Sequence, residues 1–240
     1  MDPTLLTLSP WRSGLLMLVP LLYAGAAVAA MVGGHRTATH AVTPIVTRWR
    51  IARLAAALAL IAAAVSLLGL LVAGPALARG PGLLALGGGA VLHASLRSDV
   101  LGAVMLVLVS FIGWVIVGYS QTYLAGAQGQ PRYLRSLMLT LAAVTLLVST
   151  NNLAVLALAW VATSLALHGL LTFFSARPQA LIAAHKKFIA SRVADLCLLG
   201  GVALIGQALG TLEIDQAVAA AHALATRPVA VQLGALLLAI

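Results

Sequence analysis

Charge is what this chain lacks most. Only 8% of its 240 residues are Asp, Glu, Lys or Arg, against about 25% in soluble domains. With 62% apolar residues and a mean hydropathy of +1.08, it cannot build a water-facing surface around a core, which excludes a soluble globular domain. The single cysteine, Cys197, cannot close an intrachain disulfide, and its apolar neighbours suit a small buried residue. Acids are scarcest: five against fourteen Lys and Arg, for a net charge of +9. Phosphate binding would need those cations clustered on a solvated face. They punctuate apolar runs instead, so nucleic acid is not expected as a partner.

What the chain does have is apolar runs close to the ~20 residues that a membrane-crossing helix requires. Six qualify, at roughly 14–33, 54–74, 100–119, 134–150, 153–174 and 188–209, and a seventh begins at Pro228 and is still apolar at Ile240. The expectation is an all-α integral membrane protein, a multi-span helical bundle in the lipid bilayer. Ala27-Val28-Ala29 would suit a signal-peptidase site, but the run Gly14–Val32 is longer than the usual h-region of about 7–15 residues, no polar domain follows it, and it is read as a retained span. Ser149-Thr150-Asn151-Asn152 predicts a tight polar turn between spans four and five. The segment 75–99, with Pro75, Pro81 and Gly87-Gly88-Gly89, is too broken for a span and predicts an extended or re-entrant connection.

Loop charges suggest an orientation. Arg36, Arg48, Arg50, Arg53, Arg132, Arg135, Arg177, Lys186 and Lys187 fall on one side. Arg12, Arg79, Arg97 and Arg227 fall on the other, with Asp2, Asp99, Glu213 and Asp215. Nine against four places the first side in the cytoplasm and the N-terminus outside, in the periplasm of a bacterial inner membrane.

One span breaks the rule of uncharged runs. Arg192 and Asp195 lie inside the sixth, three residues apart and so on one helical face, where each can neutralise the other. A lone charge at mid-membrane costs about 2.5–3.5 kcal/mol on insertion scales, and such residues usually mark ion or proton paths. Holding neighbouring helices in register is the plainer alternative. Lys186 and Lys187 stand at the cytoplasmic mouth of that helix, where snorkelling to the interface competes with a functional role. His168 shares a face of span five with Val161 and Ser164, and is read either as a proton relay or as a neutral core histidine. No nucleophile triad, phosphate loop, cofactor motif or metal-ligand spacing is present in the sequence. Catalysis by this chain alone is not expected.

From Asp99 to Asp215 the order of short motifs resembles the antiporter-like membrane subunits related to subunit L of NADH–quinone oxidoreductase. The matching stretches are Ser98-Asp99, Tyr119-Ser120 with Tyr123, Tyr133, Asn151-Asn152-Leu153, Trp160, Ala183-Ala184-His185-Lys186-Lys187-Phe188, Arg192-Val193-Ala194-Asp195 and Gly210-Thr211-Leu212. The resemblance implies a bundle of about fourteen or more spans with two inverted repeats, of which this chain would be the N-terminal half. Residues 1–99 would form the first helices and the exterior connection. Residues 100–240 would begin the ion-conducting domain, cut within its seventh span. In the respiratory subunits a glutamate follows the span-five tryptophan; here Val161 follows Trp160, and the acid usual at Asn151 is also missing. Leu167-His168-Gly169, Arg177-Pro178 and His185-Lys186-Lys187-Phe188 are more similar to the DabB branch.

In that branch the subunit conducts protons or another cation, such as sodium, and works with a soluble DabA-type zinc protein to pump inorganic carbon. The resemblance makes Arg192, Asp195, His168 and Lys186 the main ion-path candidates, with Lys187, Ser164 and Asn151 behind them. His168, with Ser164 and water between, would take over part of the path that Val161 no longer supplies. The alternatives are a diverged subunit of NADH–quinone oxidoreductase or of a multisubunit Na+/H+ antiporter, or a non-conducting membrane anchor for a soluble enzyme.

Overall fold

The computed structural model describes residues 10–32, 45–78, 82–85, 91–93, 95–173, 178–223 and 228–239. Six of its helices are long and apolar enough to cross a membrane. They are α1 (Pro10–Val32), α2 (Ile45–Ala73), α3 (Val100–Tyr123), α4 (Gln130–Ser149), α5 (Leu153–Leu171) and α6 (Pro178–Leu209). Two shorter helices follow, α7 (Ile214–Ala223) and α8 (Val229–Leu238). The expected seventh span is thus represented by a ten-residue apolar helix. Asp2, Arg36, Arg79, Gly87-Gly88-Gly89, Arg177 and Arg227 lie outside the described residues.

The α2–α3 connection is extended, with one antiparallel pair nested inside another. β1 (Ala76–Ala78) pairs with β4 (Leu96–Ser98), and β2 (Gly82–Ala85) with β3 (Val91–His93). The bundle therefore carries a small β element where proline and glycine forbid helix and the backbone finds its partners in ladders. Two helices start earlier than the apolar runs suggest. α2 begins at Ile45 and α6 at Pro178, because hydropathy marks where lipid begins, whereas Arg and Lys continue a helix readily. Arg48, Trp49, Lys186 and Lys187 consequently ride on helices rather than in loops.

α1 packs against α2 and α4, α2 against α3, α4 against α5, α5 against α6, and α6 against α8. The main core joins Leu16, Val19 and Tyr23 of α1 to an alanine face of α2 (Ala52, Ala56, Ala59, Ala63), to Leu106 and Val117 of α3, and to Leu134 and Met138 of α4. Small residues at such faces let helices approach closely where no water drives them together. The same device brings α8 onto α6. A Cβ on Gly201 would lie 2.8 Å from the Gly234 carbonyl oxygen, closer than real Cβ contacts allow.

Arginines stitch the first hairpin at both ends. Arg12, in the first turn of α1, donates to the Gly74 carbonyl just past α2 at 2.8 Å, and Arg48, in the first turn of α2, donates to the Ala30 carbonyl near the end of α1 at 3.2 Å. Each cation meets unpaired carbonyls and the negative end of a helix dipole. Both are buried. Trp49 Nε1 donates to Gln130 Oε1 at 2.9 Å and Arg132 to Thr172 Oγ1 at 3.2 Å. The starts of α2, α4 and α6 and the ends of α1, α3 and α5 thus share one end of the bundle. The strands, the α4–α5 turn and α7 share the other.

Candidate functional site

α5 and α6 run side by side, and their polar residues meet across that contact. Ser164 sits in the C-terminal half of α5 and is buried. Its Oγ accepts from Lys187 Nζ at 3.3 Å and from Arg192 Nη2 at 3.1 Å, both on α6. Arg192 Nη2 also lies 2.6 Å from Asp195 Oδ2, one turn further along α6. Asp195 is 4% exposed, whereas the Arg192 side chain keeps 30% of its surface, so the pair is buried at its carboxylate and partly open at its guanidinium. The Phe188 ring lies beneath the guanidinium, with the guanidinium carbon 4.9 Å from the ring centroid, adding a cation–π contact.

His168, one turn beyond Ser164, packs its ring 4.5 Å from Phe188 and 5.6 Å from His185, measured between centroids. His185 is itself anchored to the Leu181 carbonyl at 2.7 Å. Among the described residues the buried His168 Nδ1, Arg192 Nε and Asp195 Oδ1 have no hydrogen-bond partner. Unpartnered buried polar atoms are rare in folded proteins. Lys186 is exposed on α6, and Val161 is half-buried, one turn before Ser164. The sequence candidates Arg192, Asp195, Ser164, Lys187 and His168 therefore gather in one cluster, and Lys186 stands beside it.

Asn151 belongs elsewhere, at the opposite end of α5. Its Nδ2 donates to Glu213 Oε2 at 3.1 Å and to Asp215 Oδ1 at 2.6 Å. Asn152 Nδ2 donates to the other Glu213 oxygen at 3.0 Å, while its Oδ1 caps α5 by accepting from the Ala154 and Val155 amides at 3.0 and 3.3 Å. Backbone bonds from Leu153 N to Leu212 O and from Ile214 N to Asn151 O, each 2.8 Å, close the bracket, and Asn151 N reaches Ser95 O at 2.9 Å. One polar knot thus ties β4, the α4–α5 turn and the start of α7. Reading along the chain missed this partnership of Asn151 and Asn152 with Glu213. Its only local signal was an acid placed directly after an apolar span.

Two models of known families match the chain. Residues 86–134 match the N-terminus of chain 5 of NADH-ubiquinone oxidoreductase (complex I), and residues 150–240 match the transmembrane part of NADH:quinone oxidoreductase and Mrp antiporter subunits. A probable inorganic carbon transporter subunit DabB of Hydrogenovibrio crunogenus is 50% identical over 113 residues, 47% of this chain and 22% of that protein. DabB2 of Halothiobacillus neapolitanus is 43% identical over 55% of this chain and 24% of its own length. NADH-quinone oxidoreductase subunit L of Escherichia coli is 31% identical over 52% of this chain and 20% of its length. These matches thus cover less than a quarter of each curated relative. Among solved structures, a chain of the Mrp complex from Dietzia sp. DQ12-45-1b superposes with a TM-score of 0.69 at 23% identity. That match covers 92% of this chain and 22% of the other, and it establishes likeness of fold.

Proposed function

We propose a function from one premise: the chain belongs to the antiporter-like membrane subunits of the NADH:quinone oxidoreductase and Mrp type. On that premise the full-length polypeptide conducts protons or another cation as the membrane subunit of an energy-coupled inorganic carbon transporter. The observation that carries this reading is the convergence of Lys187 and Arg192 of α6 on Ser164 of α5, beside the buried Asp195. Ionisable groups inside a membrane bundle are costly and are kept chiefly where ions pass. His168 and its unpartnered Nδ1 extend the cluster toward the end that carries Lys186. The identity with the two DabB proteins supports inorganic carbon as the cargo.

The soluble partner in this reading is a DabA-type zinc protein, docked on the end of the bundle that bears Arg50, Arg53, Arg132, Arg135 and Lys186. The positive-inside rule makes that end cytoplasmic and leaves the N-terminus outside. The test is reconstitution of the full-length subunit with its partner, measuring carbon uptake against an imposed proton or sodium gradient. His168→Leu and Asp195→Asn should each abolish gradient-driven uptake while leaving assembly intact. Uptake at the parental rate in both variants would remove the cluster from the path and favour a non-conducting anchor. Similarity to NADH-quinone oxidoreductase subunit L supports a second reading, a diverged respiratory or Na+/H+ antiporter subunit. Gradient-driven cation exchange without any partner protein would favour it.

A further inference from the structure

Away from the α5–α6 cluster, α1 and α5 both pack against α4, and a cleft of about 670 Å³ opens between them with α4 as its floor. Small residues give it its width: Ala24 of α1, Ala142 and Ala143 of α4, and Ala162, Ala166 and Gly169 of α5. It opens sideways, because Leu21, Met31, Leu139 and Leu165 line it and are exposed. One end differs from the rest. Arg135 and Ser136 line it there, where the apolar run of α4 begins and hence at the level of lipid headgroups. From Arg135 the α4 lining runs to Leu146, about 16 Å at the usual helical rise. One leaflet's share of a ~30 Å hydrocarbon core is about 15 Å. Arg135 is half-buried and has no carboxylate partner among the described residues. Asp99 and Asp195 are paired with Arg97 and Arg192, and Glu213 and Asp215 are held by Asn151 at the far end of the bundle. Arg135 therefore offers its charge toward the bilayer, at the head of an apolar groove one leaflet deep.

We propose that this cleft binds one anionic glycerophospholipid, its phosphate against Arg135 and Ser136 and one acyl chain laid along the groove toward Leu146. A phospholipid brings in one molecule both things the cleft selects for, a negative headgroup at the interface and an apolar chain about one leaflet long. The planar guanidinium meets phosphate oxygens in pairs, and the Ser136 hydroxyl donates beside it. Basic pockets between membrane helices suit acidic headgroups, whereas a zwitterionic lipid brings a cation up against Arg135. A helix from the remainder of the full-length protein would match the cleft only by carrying a carboxylate to Arg135, and the test separates that occupant from a lipid. None of Arg192, Asp195, His168 and Lys186 lines the cleft, so this inference stands apart from the transport reading.

The probe is phosphatidylglycerol, titrated into the purified full-length subunit in a neutral detergent and compared with phosphatidylcholine of identical acyl chains. Mass spectrometry of the intact protein reads how much of each lipid is retained. The parent should retain one phosphatidylglycerol in preference to phosphatidylcholine. Arg135→Gln should lower that preference about fivefold, the worth of one arginine beside an anionic surface, and Arg135→Lys should keep most of it. Arg50→Gln, on α2 and away from the cleft, should leave the preference at its parental value. Ala162→Phe fills the groove from an exposed position and should lower phosphatidylglycerol retention with the charge of Arg135 untouched. Equal retention of the two lipids by the parent would overturn the proposal, as would an unchanged preference in Arg135→Gln. An equal loss in Arg50→Gln would show general attraction to a basic surface and overturn it too. Parental retention in Ala162→Phe would leave the headgroup on the surface with no chain in the cleft, which refutes the site. Retention of neither lipid by the parent would give the cleft to another helix of the full-length protein.

Discussion

Asn152 does two jobs with one amide, and substitutions can separate them. Its Oδ1 caps α5 and its Nδ2 holds Glu213. Both residues are buried, at 0% and 4% exposure, so little solvent competes for the bond. Asn152→Ser keeps a capping oxygen of nearly equal quality but loses a hydrogen bond to a charged acceptor, worth about 1.5–3 kcal/mol. Asn152→Asp also keeps the cap, yet sets two carboxylates about 3 Å apart. At an effective dielectric near 20 that repulsion is about 5 kcal/mol before a shared proton relieves it. The expected order of stability is parent, then Asn152→Ser, then Asn152→Asp.

The decisive variant is Asn152→Asp with Glu213→Gln, which exchanges amide and carboxylate across the same gap and restores one donor facing one acceptor. It should recover at least half of what Asn152→Asp loses. Denaturant unfolding of the full-length protein in detergent, at one fixed pH, measures all four species. Neighbours that share a hydrogen bond depart from additivity. A double variant no more stable than Asn152→Asp alone would refute the coupling of cap and bracket, and with it the account of how the α4–α5 turn is held to the start of α7.

The remaining expectations concern other contacts. Asp195→Ala should cost about 2–4 kcal/mol, below the usual loss for breaking a fully buried pair because Arg192 keeps some exposure; removing both charges as Arg192→Leu with Asp195→Leu should be milder, which yield and detergent stability would show. Arg12→Met and Arg48→Met should each lose about 1–3 kcal/mol through an uncapped carbonyl, and their effects should add within about 0.5 kcal/mol because they act at opposite ends of the hairpin. Gly201→Val should push α8 off α6, since even a Cβ there meets the Gly234 carbonyl; crosslinking between cysteines placed on the two helices should fall, while the α1–α4 core unfolds at the parental temperature.

Much of the architecture was legible along the chain. Six apolar runs corresponded to six spanning helices, although α2 and α6 reach about ten residues beyond theirs. Proline and glycine marked the broken segment that became paired strands, and the polar tetrad marked the α4–α5 turn. The three-residue spacing of Arg192 and Asp195 already put both on one face, because helix geometry alone decides that.

What the sequence could not supply is which polar residues meet across helices. Lys187 finds Ser164, Arg48 finds Ala30, Asn151 finds Glu213, and Trp49 finds Gln130. In a soluble protein, a helix shows its partner-facing side as an apolar stripe on a polar cylinder. Here the helices are apolar nearly all round, since lipid and neighbouring helix are equally acceptable solvents for a leucine. Rotation and depth of each helix are then set by small-residue contacts and by where buried polar groups can satisfy one another. Those are properties of the packed bundle. The sequence by itself determined how many helices cross and where charge enters them; only the tertiary structure decided that the charges of α6 converge on one serine of α5.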